Sequence, residues 1–129
     1  MYRRNYQGWS HSPLTQITTA NVKDLQLVWS WAMNEGGASQ VTPIIHAGVM
    51  FLSNTSNTVQ ALDARTGELI WENRIGPVSR IAYGGTRSLA VYHDKVFVAT
   101  TAAKIYALNA RTGAIVWKFD AGKPDAADP

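Results

Sequence analysis

The histidines are the residues of this chain best suited to acid–base or metal chemistry, and their spacing argues against both. His11, His46 and His93 lie far apart, without the HxH or HExxH spacing that brings two imidazoles to one metal ion. Each is therefore predicted to be a surface or turn histidine. The chain has no cysteine, which excludes a disulfide framework, a zinc ribbon and a thiol nucleophile.

Two other catalytic or binding motifs are also absent from the sequence. No Gly-x-Ser-x-Gly elbow is present, so a serine nucleophile of that kind is not predicted. The glycine pair at residues 84–85 is followed by threonine and lacks the lysine and the spacing of a phosphate-binding loop. The sequence therefore contains none of these catalytic motifs.

Composition and charge narrow the class of protein. The chain has 129 residues, of which 46% are hydrophobic and 16% charged, typical of one folded domain. The net charge is +3, but lysine and arginine are scattered, so nucleic-acid binding is not predicted. Residues 36–62 carry no charge, yet polar side chains interrupt them throughout, which excludes a membrane-spanning helix. The first ten residues, MYRRNYQGWS, do not resemble a signal peptide.

An internal repeat decides the organisation of the chain. The sequence ALDARTG at residues 61–67, followed by Trp71, recurs as ALNARTG at residues 107–113, followed by Trp117. The offset is 46 residues without a gap, and residues 49–71 share nine identities with residues 95–117. A period of this length is typical of propeller blades.

Each repeat has the pattern of four short antiparallel strands. Strands are predicted at 42–45, 49–52, 59–62 and 69–72 in the first repeat, and at 89–92, 95–99, 104–108 and 115–118 in the second. The Asp/Asn-Ala-Arg-Thr-Gly segments are turns, in which glycine takes a positive φ and Asp or Asn bonds the nearby backbone. The fold class is all-β, with two four-stranded propeller blades.

The ends of the chain differ from the repeats. Residues 19–25 are predicted to form a helical turn, and residues 25–31 look like a lone strand that closes a propeller ring against another blade. The predicted organisation is an N-terminal segment at residues 1–35, a first blade at 36–76, a second blade at 77–122, and a linker or disordered tail at 123–129.

The repeat resembles the tryptophan-docking motif of the quinoprotein alcohol dehydrogenases, enzymes that use pyrroloquinoline quinone (PQQ) and form eight-bladed propellers. The segment at residues 9–25, WSHSPLTQITTANVKDL, with Trp29 after it, is similar to the N-terminal signature of that family. The three tryptophans at equivalent positions, Trp29, Trp71 and Trp117, are then expected to pack between blades.

The resemblance implies a fragment of a periplasmic enzyme that oxidises alcohols or related hydroxy compounds. Such enzymes hold PQQ with calcium or a lanthanide and pass electrons to a cytochrome-type acceptor. They place the catalytic aspartate and the metal ligands in later blades, so no catalytic or metal-binding residue is expected here. The chain alone is expected to be inactive, whether it is a natural short protein or a truncated one.

Three residues are expected to contact the cofactor if the resemblance extends to the site. Gln40 occupies the position of a PQQ-contacting glutamate, and an amide there keeps hydrogen bonding but loses the charge. Arg87 matches an arginine that lies over the quinone, where a guanidinium would stabilise negative charge. Gly85 would allow close backbone approach. The adjacent cysteines of many relatives are replaced by Ile81 and Ala82.

Two alternatives remain open. The chain could be part of a non-catalytic propeller that binds proteins, similar to the outer-membrane assembly lipoproteins, which keep no quinone site. The N-terminal signature at residues 9–25 and Arg87 favour the enzyme, whereas Gln40 and the missing cysteine pair favour the scaffold. In either case unpaired blade faces predict self-association, as a four-copy ring or as a strand-exchanged dimer.

Overall fold

The computed structural model describes residues 6–8, 11–33, 40–54, 57–76, 89–100 and 102–122. The chain divides into two compact units, Met1–Ser30 and Trp31–Pro129. The first unit contains one short 3-10 turn, and the second contains all the strands found in the described ranges.

A network of side-chain bonds holds the turn in the first unit. The 3-10 turn spans Val22–Asp24, which confirms the predicted helical turn. Asn21 Oδ1 accepts a hydrogen bond of 2.7 Å from the Thr18 backbone N–H, and Asn21 Nδ2 donates one of 2.8 Å to the Gln16 carbonyl. Asn21 therefore fixes the entry of the chain into the turn.

The predicted lone strand differs from the structure. In the described part of the chain, residues 25–31 belong to no strand, and Leu27 and Val28 are exposed. A strand-like sequence pattern forms a strand only where its backbone pairs with a neighbouring edge. The role of residues 25–31 in closing a ring stays a prediction.

The second unit contains two four-stranded antiparallel sheets, which confirms the predicted all-β architecture. The first sheet consists of β1 (Ile44–His46), β2 (Val49–Ser53), β3 (Thr58–Asp63) and β4 (Leu69–Arg74). The second sheet consists of β5 (Ala90–Tyr92), β6 (Lys95–Ala99), β7 (Lys104–Asn109) and β8 (Ile115–Asp120). Each sheet follows chain order. The strand β1 begins later than predicted because Pro43 has no N–H to donate to the ladder.

The two sheets have the same register at every equivalent position. Phe51 pairs with Ala61 and Ala61 with Trp71, and the second sheet repeats this as Phe97, Ala107 and Trp117. Both sheets carry a register shift one residue after the alanine, at Leu62 and at Leu108. The repeated sequence therefore produces the same strand pairing in both sheets, including the same register shift.

The turns that end the repeats are built as the sequence predicts. Asp63 Oδ1 accepts hydrogen bonds of 2.8 and 2.9 Å from the N–H groups of Arg65 and Thr66. Asn109 Oδ1 makes the equivalent bonds in the second turn. The glycines that close the turns have φ of 76° at Gly67 and 72° at Gly113, in the region that favours glycine.

The hydrophobic core lies between the two sheets. One face of the first sheet supplies aromatic and aliphatic side chains, and the facing side of the second sheet supplies mainly valine, leucine and tyrosine. The buried members are Phe51, Val59, Ala61, Trp71, Ile75, Leu89, Val96, Val98, Tyr106 and Leu108. Face-to-face packing of this kind is how stacked sheet units bury their apolar surfaces.

Candidate functional site

Trp71 connects the two sheets through a specific contact. Its Nε1 donates a hydrogen bond of 2.9 Å to the carbonyl of Ala110, in the turn between β7 and β8. The indole ring lies over Gly113, where an added Cβ would approach ring atom Cδ2 to 2.7 Å. Asn73, also on β4, donates a bond of 2.7 Å to the Gly113 carbonyl. The second turn is therefore held by two side chains of the first sheet.

Trp117 occupies the equivalent position in the second sheet but has a different environment. Its ring lies 5.9 Å from that of Phe97, close to the 6.1 Å between Trp71 and Phe51. Trp117 is 41% exposed, whereas Trp71 is 8% exposed. The local geometry is thus the same in both sheets, and the covering turn of a neighbouring sheet accounts for the difference in burial.

The three predicted cofactor contacts are only partly placed by the structure. Gln40 is exposed and lies just before β1. Arg87 and Gly85 lie outside the described residues, as do Ile81 and Ala82. The contact between these positions and a quinone stays a prediction.

A chain of polar side chains centred on the buried Gln60 lies on the face of the first sheet opposite Trp71, and the sequence analysis missed it. Gln60, in the middle of β3, has no exposed surface. Its Oε1 accepts a hydrogen bond of 3.2 Å from Trp31 Nε1, and its Nε2 donates one of 2.5 Å to Glu72 Oε2. The signal in the sequence that could have indicated this chain is a glutamine in the middle of an otherwise mostly apolar strand. Its amide satisfies both neighbours, which explains how it is tolerated at a buried position.

The charged groups with perturbed pKa values lie at the surface of the protein, exposed or partly exposed. Backbone N–H groups of Thr66 and Arg65 hold the pKa of the Asp63 carboxyl below its usual range. The Lys95 ammonium, 2.6 Å from Asp94 Oδ1, lowers the pKa of Asp94. These groups stabilise turns and hairpins, and their exposure argues against a role as tuned acids or bases.

The described ranges give no metal site of their own. Within them, no group of three or more His, Asp or Glu side chains is placed to hold an ion. Nor does any helix in those ranges have the length and apolar character needed to cross a membrane.

Two stacked four-stranded antiparallel sheets, joined through a tryptophan and a glycine turn, define a piece of a β-propeller. A profile of the PQQ family, described as "Glucose/ethanol/alcohol dehydrogenase, beta-propeller domain", matches residues 1–123. The chain belongs to this family of PQQ dehydrogenase propellers.

Curated relatives carry dehydrogenase names. The dehydrogenase subunit of the quinone alcohol dehydrogenase of Gluconobacter oxydans is 40% identical over 70 residues, which is 54% of this chain and 9% of that protein. The 1-butanol dehydrogenase (cytochrome c) of Thauera butanivorans is 42% identical over 64 residues, covering 50% of this chain and 9% of that protein. The match thus spans about a tenth of each relative's length.

Solved structures agree with this fold. The quinohemoprotein alcohol dehydrogenase from Comamonas testosteroni superposes with a TM-score of 0.78 and 31% identity, over 91% of this chain and 18% of that one. A europium-containing methanol dehydrogenase superposes with a TM-score of 0.79 and 27% identity, over 95% of this chain and 23% of that one.

Proposed function

We propose that this chain forms two blades of a PQQ-dependent dehydrogenase that oxidises alcohols or related hydroxy compounds. The observation that carries the proposal is the family match over residues 1–123, together with the stacked sheets that the match requires. The relatives named above act on alcohols by their printed names, which supports an alcohol as the substrate class.

Gln40, Arg87 and Gly85 are the residues that would hold the cofactor. Gln40 is exposed at the end of the first sheet where β1 begins, so its amide is available for hydrogen bonding. Arg87 would contribute a guanidinium to negatively charged groups, and Gly85 would permit close backbone approach. PQQ, when bound, supplies the two-electron acceptor chemistry that the side chains of these two blades lack.

The metal and the remaining catalytic groups belong to blades beyond these two in the proposed enzyme. Calcium or a lanthanide is the expected ion, and one matched structure is a europium-containing methanol dehydrogenase. We therefore expect the 129-residue chain by itself neither to retain PQQ nor to oxidise alcohols. Turnover of ethanol with PQQ, calcium and an acceptor dye, above the rate of free quinone, would contradict this expectation.

A chimera tests the proposed function directly. Residues 1–123 replace the matching segment of the Comamonas testosteroni enzyme, and PQQ retention and alcohol oxidation are measured on the purified protein. The proposal requires the chimera to keep both. Within it, Arg87→Ala is expected to weaken PQQ binding by about 1–3 kcal/mol, the value of a hydrogen bond to a charged group. The matched control is Arg65→Ala, in the exposed turn of the first sheet.

The same chimera separates the enzyme from a protein-binding scaffold. The amide at position 40 and the absence of a cysteine pair favour a scaffold. A chimera that folds, as shown by circular dichroism, but does not retain PQQ would refute the cofactor role and support the scaffold. Unchanged PQQ retention in Arg87→Ala would remove only Arg87 from the site.

The location and partners of the enzyme follow as further proposals. A periplasmic location and a cytochrome-type acceptor fit the family, and one relative carries cytochrome c in its name. The half-exposed ring of Trp117, with Phe119 beside it on β8, supports docking of another sheet against this face. In the isolated chain that docking would occur between copies, as a dimer or a four-copy ring.

A further inference from the structure

A cavity opens between the two sheets at the end opposite Gln40. Gln40 precedes the start of β1, whereas the hairpin turn at the cavity follows the end of β1 at His46. Gln40 and the cavity therefore lie at opposite ends of the first sheet. The cavity has a volume of about 790 Å³ and is lined by the two hairpin turns, by β2 and β4, and by the turn after β7. Its size falls in the range of small-molecule sites, about 300–1,000 Å³.

The lining has an apolar floor and a polar rim. Val49, Phe51 and Ile70 supply the apolar side chains. The rim carries His93 and Arg111, with His46 on the neighbouring hairpin. A mostly apolar pocket with a few convergent polar groups is the usual form of a site for an organic molecule.

Hydrogen bonds hold the walls in place. The N–H of Ala110 donates a bond of 2.8 Å to the Asp94 carbonyl, which ties the turn after β7 to the β5–β6 hairpin. The Ala110 carbonyl accepts the indole N–H of Trp71, which ties the same turn to the first sheet. The cavity is therefore formed before any ligand arrives, which lowers the entropic cost of binding.

The charge at the rim is positive. Asp94 also lines the cavity, but the Lys95 ammonium lies 2.6 Å from its carboxylate and compensates its charge. Among the described residues, no carboxylate forms an ion pair with the Arg111 guanidinium. The backbone N–H of Arg111 is fixed by a bond of 2.9 Å to Asn109 Oδ1. A planar guanidinium of this kind binds a carboxylate through two parallel hydrogen bonds.

We propose that this cavity binds a small organic carboxylate, whose carboxylate group lies on Arg111 and whose apolar body covers Val49, Phe51 and Ile70. The imidazoles of His46 and His93 are the additional hydrogen-bonding groups. The proposal does not depend on the proposed cofactor contacts.

The test uses the purified 129-residue chain and two probes that share an aromatic body, one with a charged carboxylate and one with a neutral hydroxymethyl group. The anion 2-naphthoate and the neutral 2-naphthylmethanol have the same aromatic body. Titration of the ¹⁵N-labelled chain is expected to shift the amide resonances of His93, Ala110 and Arg111, with naphthoate binding about tenfold more tightly because of its charged hydrogen bonds. Equal affinity for the two probes, no binding of naphthoate, or shifts confined to β8 would each overturn the proposal.

The chain offers a matched pair of variants. Arg111→Gln removes the guanidinium at the cavity, whereas Arg65→Gln makes the same change at the equivalent turn of the first sheet, which does not line the cavity. Naphthoate affinity is expected to fall about tenfold in the first variant and to change less than about twofold in the second. Equal effects in both would show that the anion responds only to overall charge, and the proposal would fail.

Discussion

Replacing Gly113 with alanine should destabilise the contact between the two sheets. Gly113 has φ of 72°, where an L-residue is strained by about 1–2 kcal/mol. A Cβ at this position would also lie 2.7 Å from Trp71 Cδ2 and 3.0 Å from Cζ3, too close for carbon atoms. Crowding of a packed core costs about 1–3 kcal/mol more. The sum predicts a loss of about 2–5 kcal/mol in the free energy of unfolding.

Gly48 provides the matched control. Its φ of 79° imposes the same backbone strain, but an added Cβ would meet no atom within 4 Å. Gly48→Ala is therefore expected to cost only about 1–2 kcal/mol. Both variants are compared with the natural chain by urea denaturation, followed by tryptophan fluorescence at one protein concentration, since self-association would shift the apparent stability.

A double-mutant cycle tests the contact even if Gly113→Ala folds poorly. Trp71→Leu removes the ring that the new methyl group would strike, so in that background Gly113→Ala should cost only the backbone strain. The expected coupling between the two positions is about 1–3 kcal/mol. Equal losses for Gly113→Ala and Gly48→Ala, or no coupling with Trp71, would refute the reasoning.

Three further results are expected. Trp71→Ala should lower the free energy of unfolding by about 3–5 kcal/mol, and Trp117→Ala by clearly less, because its ring is half-exposed; equal losses in urea titrations would contradict this. Light scattering should give a mass above the 14.1 kDa of one chain, and Trp117→Lys should reduce that mass. A species of 14.1 kDa at micromolar concentration would exclude self-association. Folding lowers the pKa of the Asp63 carboxyl. This carboxyl therefore stabilises the folded chain at pH values above its unfolded pKa of about 3.9, and the stabilisation is lost as the pH falls through the lower, folded pKa. Asp63→Asn should keep the turn, because Asn109 makes the same bonds in the second sheet. The urea midpoint of this variant should fall less steeply at acid pH than that of the unaltered chain. An equally steep fall would exclude Asp63 as a source of the pH dependence.

The sequence was sufficient to predict the strands because they depend on local signals. The repeat at an offset of 46 residues, the alternation in the strands and the Asp/Asn-Ala-Arg-Thr-Gly turns all act within a few residues of the chain. Strand ends differed by a residue or two, as at β1, where Pro43 delays the start. Residues 25–31 have a strand-like pattern but belong to no strand in the described structure, so pattern alone did not decide their state.

The candidate sites depended more on long-range contacts. Gln40 was placed before the first strand from a resemblance, and the structure adds that it is exposed. The lining of the cavity could not be predicted, because His46, His93 and Arg111 come from different hairpins and turns that meet only when the sheets stack. The structure confirms the predicted surface or turn histidines, since His46 and His93 are exposed at the two hairpins.

The sequence by itself determined the repeated strand, bulge and turn, since these are governed by backbone preferences and by side chains close in the chain. Only the tertiary structure decided which side chains of each copy of the repeat are buried and what they contact. Trp71 and Trp117 share the same motif and the same register, yet one is buried against Gly113 and the other is half-exposed. The physical reason is that burial is set by the neighbouring sheet, and the residues of a repeat do not encode which neighbour covers it.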